Sequence, residues 1–368
     1  MTWRGAFIEH FGPGGFSGST FGDWLRVLWE NRFAIDLKYW PRAVMITNNS
    51  ALNSLVRRWE VMRHGAAIAR TPVPPPLFVL GIWRSGTTHL HNLMATDDRF
   101  AFPNTYQVLY PHTFLTTEQS GGRFMQWMMP ATRPMDNVKS GVNEPQEDEF
   151  ALVASGLSFM LGLVVFPRSQ QLYQKYLTLR DLSTKELERW KSALIEFLQK
   201  LTLKYDRPLI LKSPAHTGRL NVLLDLFPNA KFIHIHRDPY TVFQSTLHTW
   251  HQVTTFWGLQ DARVDENRVL QDYAEVYEAF FAQRHRLTEQ NFFEVRFADL
   301  ERDPIGQLRS IYRCLNLPDF AYVEPTLRDY VQSLTGYKRN SFPALSDQHR
   351  QQVAHAWRRT FEEWGYAK

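Results

Sequence analysis

A loop that could bind phosphate lies between Gly81 and Thr88, where the sequence reads Gly-Ile-Trp-Arg-Ser-Gly-Thr-Thr. It follows the apolar run LFVL and precedes the helix-compatible run HLHNLMA. This order points backbone N–H groups at one place beside a helix N-terminus, which favours an anion there. The glycine spacing is that of a nucleoside triphosphate P-loop, but Thr87 stands where that motif needs a lysine, and the cation is instead Arg84. The substitution argues against hydrolysis of ATP or GTP. We expect the loop to hold a single 5′-phosphate and the bridging oxygen attached to it through Arg84, Ser85, Gly86, Thr87 and Thr88.

A second candidate anion site lies in the run KFIHIHRDPYTVFQS, residues 231–245. Arg237 follows the predicted strand, and Ser245 comes eight residues later, about two turns into a helix that begins near Pro239. An arginine at a strand end and a hydroxyl on the next helix can bind one phosphate from two sides. On its own this pattern is also typical of a surface turn with a local ion pair. It indicates a phosphate site only when it is considered together with the loop at residues 81–88.

Taken together, in this order and at this separation, the two motifs resemble those of the PAPS-dependent sulfotransferase superfamily, from Leu77 to about Phe342. PAPS is 3′-phosphoadenosine 5′-phosphosulfate. The resemblance implies that the RSGTT run binds the 5′-phosphosulfate and that Arg237 and Ser245 bind the 3′-phosphate. The RSGTT loop, the LKSP run and the helical segment before them look most like the bacterial branch, which is related to the tyrosylprotein sulfotransferases.

The resemblance also implies contacts to the rest of the nucleotide. The segment VRFADL at residues 295–300 is similar to the family segment near the adenine, with Phe297 where tyrosine is common. The ring of Phe297 can still stack on the adenine, but phenylalanine lacks the hydroxyl that a tyrosine would use for a hydrogen bond. His89 follows the paired threonines and faces the adenine in this interpretation, with an ordinary helix histidine as the alternative. A basic loop over the nucleotide is implied at residues 336–341, through Lys338, Arg339 and Asn340.

Sulfuryl transfer is physically similar to phosphoryl transfer, a loose in-line displacement in which positioning and charge stabilisation dominate. Arg84 would meet the negative charge that grows on the departing 5′-phosphate, and Lys212 matches a family lysine at the reacting centre. The carboxylate that follows the loop in the tyrosylprotein branch has no counterpart at Gln107 or its neighbours. We choose Glu147 as the base that takes the proton of the acceptor hydroxyl. The alternatives are Glu144, Glu149 and His112.

These residues need a framework, and the sequence predicts an α/β fold with a P-loop-like parallel sheet flanked by helices. Short apolar runs such as LFVL, PLIL and KFIHIH alternate with helical patterns such as STKELERWKSALIEFLQKLTLKY, which indicates βαβ units. Helical spacing of Trp, Leu and Arg before the proline cluster at 72–76 predicts an N-terminal helical layer. We therefore divide the chain into a helical extension or cap, residues 1–76, and a sulfotransferase α/β domain, residues 77–368. The extension could pack on the sheet, cap the acceptor pocket or form a membrane-surface patch.

Composition limits the partners and the location. The chain has 42 Lys plus Arg and 37 Asp plus Glu without a block of like charges, which suits anionic small molecules and predicts no nucleic-acid partner. Cys314, the single cysteine, cannot form a disulfide within the chain, and the first residues do not resemble a signal peptide, so we expect a cytoplasmic protein. The uncharged stretch at 150–166 is short for a membrane span and would place the two phosphate motifs on opposite sides, so we expect a buried helix there.

The sequence thus predicts a sulfotransferase that moves a sulfuryl group from PAPS to the hydroxyl of a small-molecule or lipid acceptor. The many aromatic residues favour a hydrophobic acceptor. We expect no metal, because His234 and His236 have no carboxylate or cysteine at ligand spacing. A P-loop nucleotide kinase and a nucleotide-binding protein without turnover are the alternatives. No pattern in the sequence indicates the oligomeric state.

Overall fold

The computed structural model describes residues 16–129, 132, 139–261, 265–336 and 342–368, without the side chains of 251 and 254–256. The predicted nucleotide-loop residues Lys338, Arg339 and Asn340 lie outside the described residues. Backbone contacts divide the chain into two compact units, which we call the helical unit and the sheet unit. The helical unit is Met1–Val73, Pro103–Asp206 and Trp250–Arg263, and the sheet unit is Pro74–Phe102, Arg207–Thr249 and Val264–Lys368. The domain boundary that we place at residue 76 stays a prediction.

Helices are numbered along the described part of the chain. They are α1 Phe21–Glu30, α2 Trp40–Arg70, α3 Thr87–Met94, α4 Thr105–Leu109, α5 Phe114–Met128, α6 Glu149–Ala154, α7 Gln170–Gln174, α8 Thr184–Tyr205, α9 Leu220–Leu226, α10 Pro239–Trp257, α11 Glu266–Gln283, α12 Phe297–Arg302, α13 Pro304–Cys314, α14 Phe320–Ser333, α15 Asp347–Ala356 and α16 Arg358–Trp364. Between them lie 3₁₀ turns at Leu37–Tyr39, Pro167–Ser169, Pro214–Arg219 and Arg284–Arg286 and a π-helical turn at Leu161–Val165. The predicted helices α1, α2, α8 and α10 are confirmed.

Four parallel strands form the sheet of the sheet unit. They are β1 Leu77–Leu80, β2 Ile210–Lys212, β3 Lys231–His236 and β4 Phe292–Arg296. Their order is β2-β1-β3-β4, and Leu77 is paired with both Ile210 and Lys231. Every residue of β1 is buried, as is typical of a parallel strand that is covered on both faces. The predicted α/β class with a parallel sheet and flanking helices is confirmed.

In the helical unit, α1 packs against the long helix α2, which in turn packs against α8. The indole Nε1 of Trp24 donates a hydrogen bond to Oγ1 of Thr47 at 2.9 Å. Nζ of Lys200 lies 2.5 Å from Oε1 of Glu60, and both side chains are buried. Lys200 also donates to the backbone carbonyl of Pro111 at 2.6 Å. Moving α2 away from α8 at this point would leave two buried charges without partners, which would be costly.

The uncharged stretch at 150–166 is buried as expected, but the prediction of a single helix is wrong. Helix α6 ends at Ala154, and Gly156 adopts a left-handed conformation with φ +68°. The N–H of Leu157 then donates to the carbonyl of Leu152 at 2.9 Å, which closes the helix as a glycine C-terminus does. A Cβ at Gly156 would lie 2.9 Å from Cγ2 of Val27, so the chain can pass α1 only with glycine there. Among the described residues, no helix combines the length and the apolar character that a bilayer crossing requires.

Candidate functional site

The loop after β1 requires glycine at both ends. Gly81 and Gly86 have φ of +136° and +107°. A Cβ at Gly86 would lie 2.3 Å from Cδ2 of Phe297, and a Cβ at Gly81 would lie 2.4 Å from the carbonyl oxygen of Ile235. Arg84 is also left-handed, with φ +68°, a conformation that costs about 1–3 kcal/mol in a residue other than glycine. The strain therefore sits at the predicted cation, as is common at ligand sites.

Two distant side chains hold the backbone of this loop. The N–H of Gly81 donates to Oγ1 of Thr217 at 2.8 Å, and the N–H of Ile82 donates to the hydroxyl of Tyr277 at 3.4 Å. The hydroxyl of Ser85 donates back to the carbonyl of Ile82 at 2.8 Å. Sequence reasoning missed Thr217 and Tyr277, and no local signal could have found them, because they lie 136 and 195 residues from their partners.

Arg84, Ser245 and Arg237 lie together at the mouth of the loop. Nε of Arg84 donates a hydrogen bond to Oγ of Ser245 at 2.9 Å, and the guanidinium of Arg237 donates to the backbone carbonyl of Arg84 at 3.3 Å. Ser245 lies on α10 and Arg237 directly after β3. The two predicted anion motifs therefore share hydrogen bonds, although 161 residues separate Arg84 from Ser245.

Lys212 reaches the first turn of α3 from the end of β2. Its Nζ lies 3.4 Å from Oγ1 of Thr88, and its side chain is almost completely buried. Thr87, which stands in place of a P-loop lysine, is buried as well. The lysine side chain is thus already in place beside the N-terminus of a helix, where an anion would bind.

Phe297 lines the same region but begins helix α12 rather than continuing the strand. The guanidinium carbon of Arg237 lies 4.3 Å from the centre of its ring, and the ring of His89 meets it edge-on at 6.4 Å. Its ring edge also contacts Gly86, as the blocked Cβ position there indicates. Phe297, Arg237, His89 and Gly86 are thus neighbours in the sheet unit. Stacking of Phe297 on an adenine ring stays a prediction.

The predicted base and its carboxylate alternatives belong to the helical unit. Glu147 is half-buried just before α6. Glu144 pairs with Lys139, whose Nζ lies 2.6 Å from its Oε1. Glu149 is buried and accepts a hydrogen bond from the hydroxyl of Ser158 at 2.5 Å. These contacts engage Glu144 and Glu149 within their own unit, and the choice of Glu147 stays a prediction.

His112, the remaining alternative, is mostly buried. Its Nε2 lies 3.5 Å from the hydroxyl of Ser155 and 3.8 Å from a carboxylate oxygen of Asp23. Burial lowers the pKa of His112 to about 4, because the loss of hydration outweighs the attraction of the Asp23 carboxylate. The imidazole is therefore neutral near neutral pH and able to accept a proton, but it is a weak base.

Gln107 lies where the resemblance to the tyrosylprotein branch would lead us to expect a carboxylate. It is buried in α4, and its amide donates hydrogen bonds to the hydroxyl of Tyr205 at 2.6 Å and to Glu118 at 3.2 Å. Asn104 donates to the same carboxylate at 2.8 Å, and Lys204 forms an ion pair with it. Glu118 is therefore already engaged by donors from Gln107, Asn104 and Lys204.

The two histidines of β3 are bound within the sheet unit. Nδ1 of His234 lies 2.8 Å from Glu294, and Nδ1 of His236 lies 2.9 Å from the hydroxyl of Tyr366. Burial lowers the pKa of His236 to about 3, and the ring stacks on Trp364 at 4.6 Å. No group of three or more metal-ligating side chains occurs in the described part of the chain.

The sequence of this chain is similar to those of known proteins. A model of the Sulfotransferase family matches residues 75–321. The chain is also 38% identical over 352 residues to the omega-hydroxy-beta-dihydromenaquinone-9 sulfotransferase Stf3 of Mycobacterium bovis and of Mycobacterium tuberculosis, and the match covers 95% of this chain and 90% of the relatives. The chain belongs to the Sulfotransferase family and is a sulfotransferase.

Solved structures agree at the level of the fold. The sulfotransferase STF1 from Mycobacterium tuberculosis superposes with a TM-score of 0.65 at 19% identity, over 92% of this chain and 91% of that one. The sulfotransferase STF9 from Mycobacterium avium superposes with a TM-score of 0.67 at 19% identity, over 94% of this chain and 97% of that one. The fold is therefore that of a sulfotransferase across nearly the whole chain.

Proposed function

We propose that this sulfotransferase takes its sulfuryl group from PAPS and transfers it to the hydroxyl of a lipophilic acceptor related to a hydroxylated isoprenoid quinone. The observation that carries the donor assignment is the hydrogen bond between Arg84 and Ser245. It joins a loop suited to a 5′-phosphosulfate with a motif suited to a 3′-phosphate, and PAPS carries both groups on one ribose. An ATP-like donor has no 3′-phosphate for Ser245 and Arg237.

The chemistry follows from the positive charges around the loop. The bond between sulfur and the bridging oxygen of PAPS breaks while a bond from the acceptor oxygen to sulfur forms, so negative charge moves onto the 5′-phosphate. Arg84 and Lys212 stabilise that charge, and the helix N-terminus at Thr87 adds backbone donors. The proton of the acceptor hydroxyl passes to the carboxylate of Glu147. In this proposal adenosine 3′,5′-bisphosphate and the sulfated acceptor leave.

The remaining nucleotide contacts belong to the same proposal. Phe297 stacks on the adenine with one face of its phenyl ring, and Arg237 lies over the other face. The 4.3 Å distance between the guanidinium carbon of Arg237 and the centre of the phenyl ring supports this contact. His89 lies at the ring edge. Lys338, Arg339 and Asn340 close over the nucleotide in this scheme, as the family resemblance implies. The donor is bound by protein groups, and no metal ion takes part.

The acceptor class rests on the relatives. The two Stf3 proteins are named for a hydroxylated menaquinone, and 38% identity over 95% of this chain supports an acceptor of the same chemical class. A terminal hydroxyl on a long apolar chain agrees with the 44% apolar and 14% aromatic composition. A sugar polymer would instead require a groove rich in polar and charged contacts.

An acceptor panel tests this proposal. The purified protein is incubated with PAPS and, in detergent, with an ω-hydroxylated isoprenoid quinol, a long-chain alcohol, a simple phenol or an oligosaccharide, and the bisphosphate released is measured. We expect the hydroxylated quinol to have the highest kcat/KM, and Arg84→Gln to reduce it by at least about a hundredfold through loss of charge stabilisation. Arg302→Gln, an exposed arginine on α12, is the matched control. Preference for the oligosaccharide would refute the acceptor class and leave the donor assignment standing.

A further inference from the structure

Exposed apolar side chains follow one face of the long helix α2, and together with those of α1 we call them the apolar stripe. At 3.6 residues per turn, the members on α2 fall within about 120° of arc. Val61 is also exposed but lies about 60° outside this arc and is not a member. The buried residues of α2, such as Ile46 and Ile68, lie on the opposite side of the helix. The exposed members on α2 are Trp40, Val44, Leu52, Leu55, Trp59 and Met62.

The stripe continues on α1 and on the turn between the helices. Phe21, Leu25 and Trp29 are exposed at intervals of four residues, so they share one face of α1. Phe33 and Leu37 follow, and Leu37 is 85% exposed. The start of α1 is tied to the middle of α2, because the N–H of Phe21 donates to the hydroxyl of Ser54 at 2.8 Å. The exposed apolar groups thus belong to one folded surface of the helical unit.

The charges around the stripe are strongly biased. Between residues 21 and 70, the exposed charged side chains are one acid, Glu30, and five bases, which are Arg32, Lys38, Arg58, Arg63 and Arg70. Lys38 forms an ion pair with Asp261. Glu30 lies 3.8 Å from Arg26. The other acids of this segment are partnered: Asp23 with Arg26, Asp36 with Arg168 and Glu60 with Lys200. On the helical wheel, Arg58 and Arg70 lie near the two edges of the stripe.

We infer that the apolar stripe docks on the surface of a bilayer that contains anionic lipid. Apolar and aromatic side chains on one face, bordered by Arg and Lys, are the features of helices that lie in the membrane interface. Trp29, Trp40 and Trp59 are all exposed on the stripe, and tryptophan favours the headgroup region. A second copy of this chain is a poor occupant, because a two-fold contact would bring Arg32, Arg58, Arg63 and Arg70 against the same four cations.

The inference rests on the proposed function in one respect, since a lipophilic acceptor is held in a membrane. The helical unit contains a cavity of about 1040 Å³ between α2, α5 and the end of α8. Trp59 and Arg63 line this cavity, and Trp59 is also a member of the stripe. Docking through the stripe would therefore bring the rim of the cavity to the lipid surface.

Vesicle flotation tests the docking surface without any donor or acceptor. We expect the wild-type protein to float with vesicles of phosphatidylcholine and phosphatidylglycerol, and to bind less to pure phosphatidylcholine or at high salt. The double variant Arg58→Gln with Arg70→Gln should weaken partition to anionic vesicles by about thirtyfold, at about 1 kcal/mol per cation. The triple variant Trp29→Ser, Leu37→Ser and Met62→Ser should weaken it by about a hundredfold or more.

Matched controls lie in the sheet unit. Tyr322→Ser removes an aromatic side chain that is 56% exposed, and Arg313→Gln removes an exposed cation. Both should leave flotation unchanged. Equal losses in the stripe variants and these controls, or no flotation of the wild type, would overturn the inference. A dimer seen by light scattering that the triple variant abolishes, without flotation, would assign the stripe to a second copy and also overturn it.

The triple variant separates this inference from the proposed function. It should retain sulfuryl transfer to an acceptor dissolved in detergent, since its substitutions lie outside the donor loop. Transfer in detergent without vesicle binding by the wild type would reject the docking surface alone. Vesicle binding without transfer to any acceptor would support the docking surface and reject the proposed function.

Discussion

The 3′-phosphate assignment makes a sharp prediction about Arg237. In the structure its guanidinium donates to the carbonyl of Arg84 at 3.3 Å and covers the ring of Phe297 at 4.3 Å. Arg237→Ala removes one charge-assisted contact to a 3′-phosphate, worth about 1.5–3 kcal/mol. Affinity for adenosine 3′,5′-bisphosphate should therefore fall roughly ten- to a hundredfold, while affinity for adenosine 5′-monophosphate should change little.

Isothermal titration of both nucleotides measures this difference. Ser245→Ala removes a neutral hydroxyl and should cost the bisphosphate about two- to tenfold. Arg302→Ala, an exposed arginine of α12 that pairs with Asp299, is the control and should change neither affinity. If Arg237→Ala weakens the binding of both nucleotides equally, Arg237 supports the loop and does not bind the 3′-phosphate. That result would refute the assignment.

Three further predictions concern the base, the core and the response to acid. Glu147→Gln should lower kcat by about 10²–10⁴ while bisphosphate affinity stays near wild type, and normal turnover would remove Glu147 as the base. Glu60→Gln should lower the free energy of unfolding, measured by urea titration, by about 3–5 kcal/mol, because it leaves buried Lys200 without its partner. The double variant Glu60→Leu with Lys200→Met should recover most of this loss. A loss below about 1 kcal/mol in Glu60→Gln would contradict this prediction. The pKa of His236 is about 3 in the folded protein and about 6.5 when unfolded. Between these two pH values only the unfolded chain carries the proton, so acid favours unfolding. The contribution of His236 to stability is therefore complete above pH 6.5 and is lost as the pH falls toward 3. Below pH 6.5 stability should fall by about 1.4 kcal/mol per pH unit from this group, and the same slope in His236→Phe would contradict its role.

Local sequence patterns were sufficient to predict most of the fold. The strands β1, β2 and β3 are short apolar runs bounded by prolines or polar residues, and α8 has Ser183 as its N-cap in a capping box with Glu186. Each of these signals lies within a few residues of the sequence. The break at Gly156 has no such signal, because a glycine inside an apolar run is also compatible with a continuous helix. The close approach to Val27 on α1, which leaves no room for a Cβ at Gly156, involves a segment far away in the sequence.

The site was predictable to the extent that its motifs are local. The loop from Gly81 to Thr88 and the pair Arg237 and Ser245 were identified from spacing and resemblance, and the structure places them together in one unit. The supports of the loop, Thr217 and Tyr277, depend on contacts between distant segments. The base depends on the acceptor geometry, which the sequence does not contain. A cytoplasmic location likewise stays a prediction.

Transfer of labelled sulfur shows whether this protein moves a sulfuryl group from PAPS to a lipid hydroxyl. The protein is incubated with ³⁵S-labelled PAPS and an ω-hydroxylated isoprenoid quinol in the presence of EDTA, and the label extracted with the lipid is compared with the bisphosphate released. We expect equal amounts of both, no need for a divalent metal and no phosphate transfer from ATP. Lys212→Met should reduce the transfer by about a hundredfold or more, because the buried ammonium beside Thr88 is lost. Label that stays with the nucleotide, or a product that forms only with ATP and a divalent metal, would contradict the account.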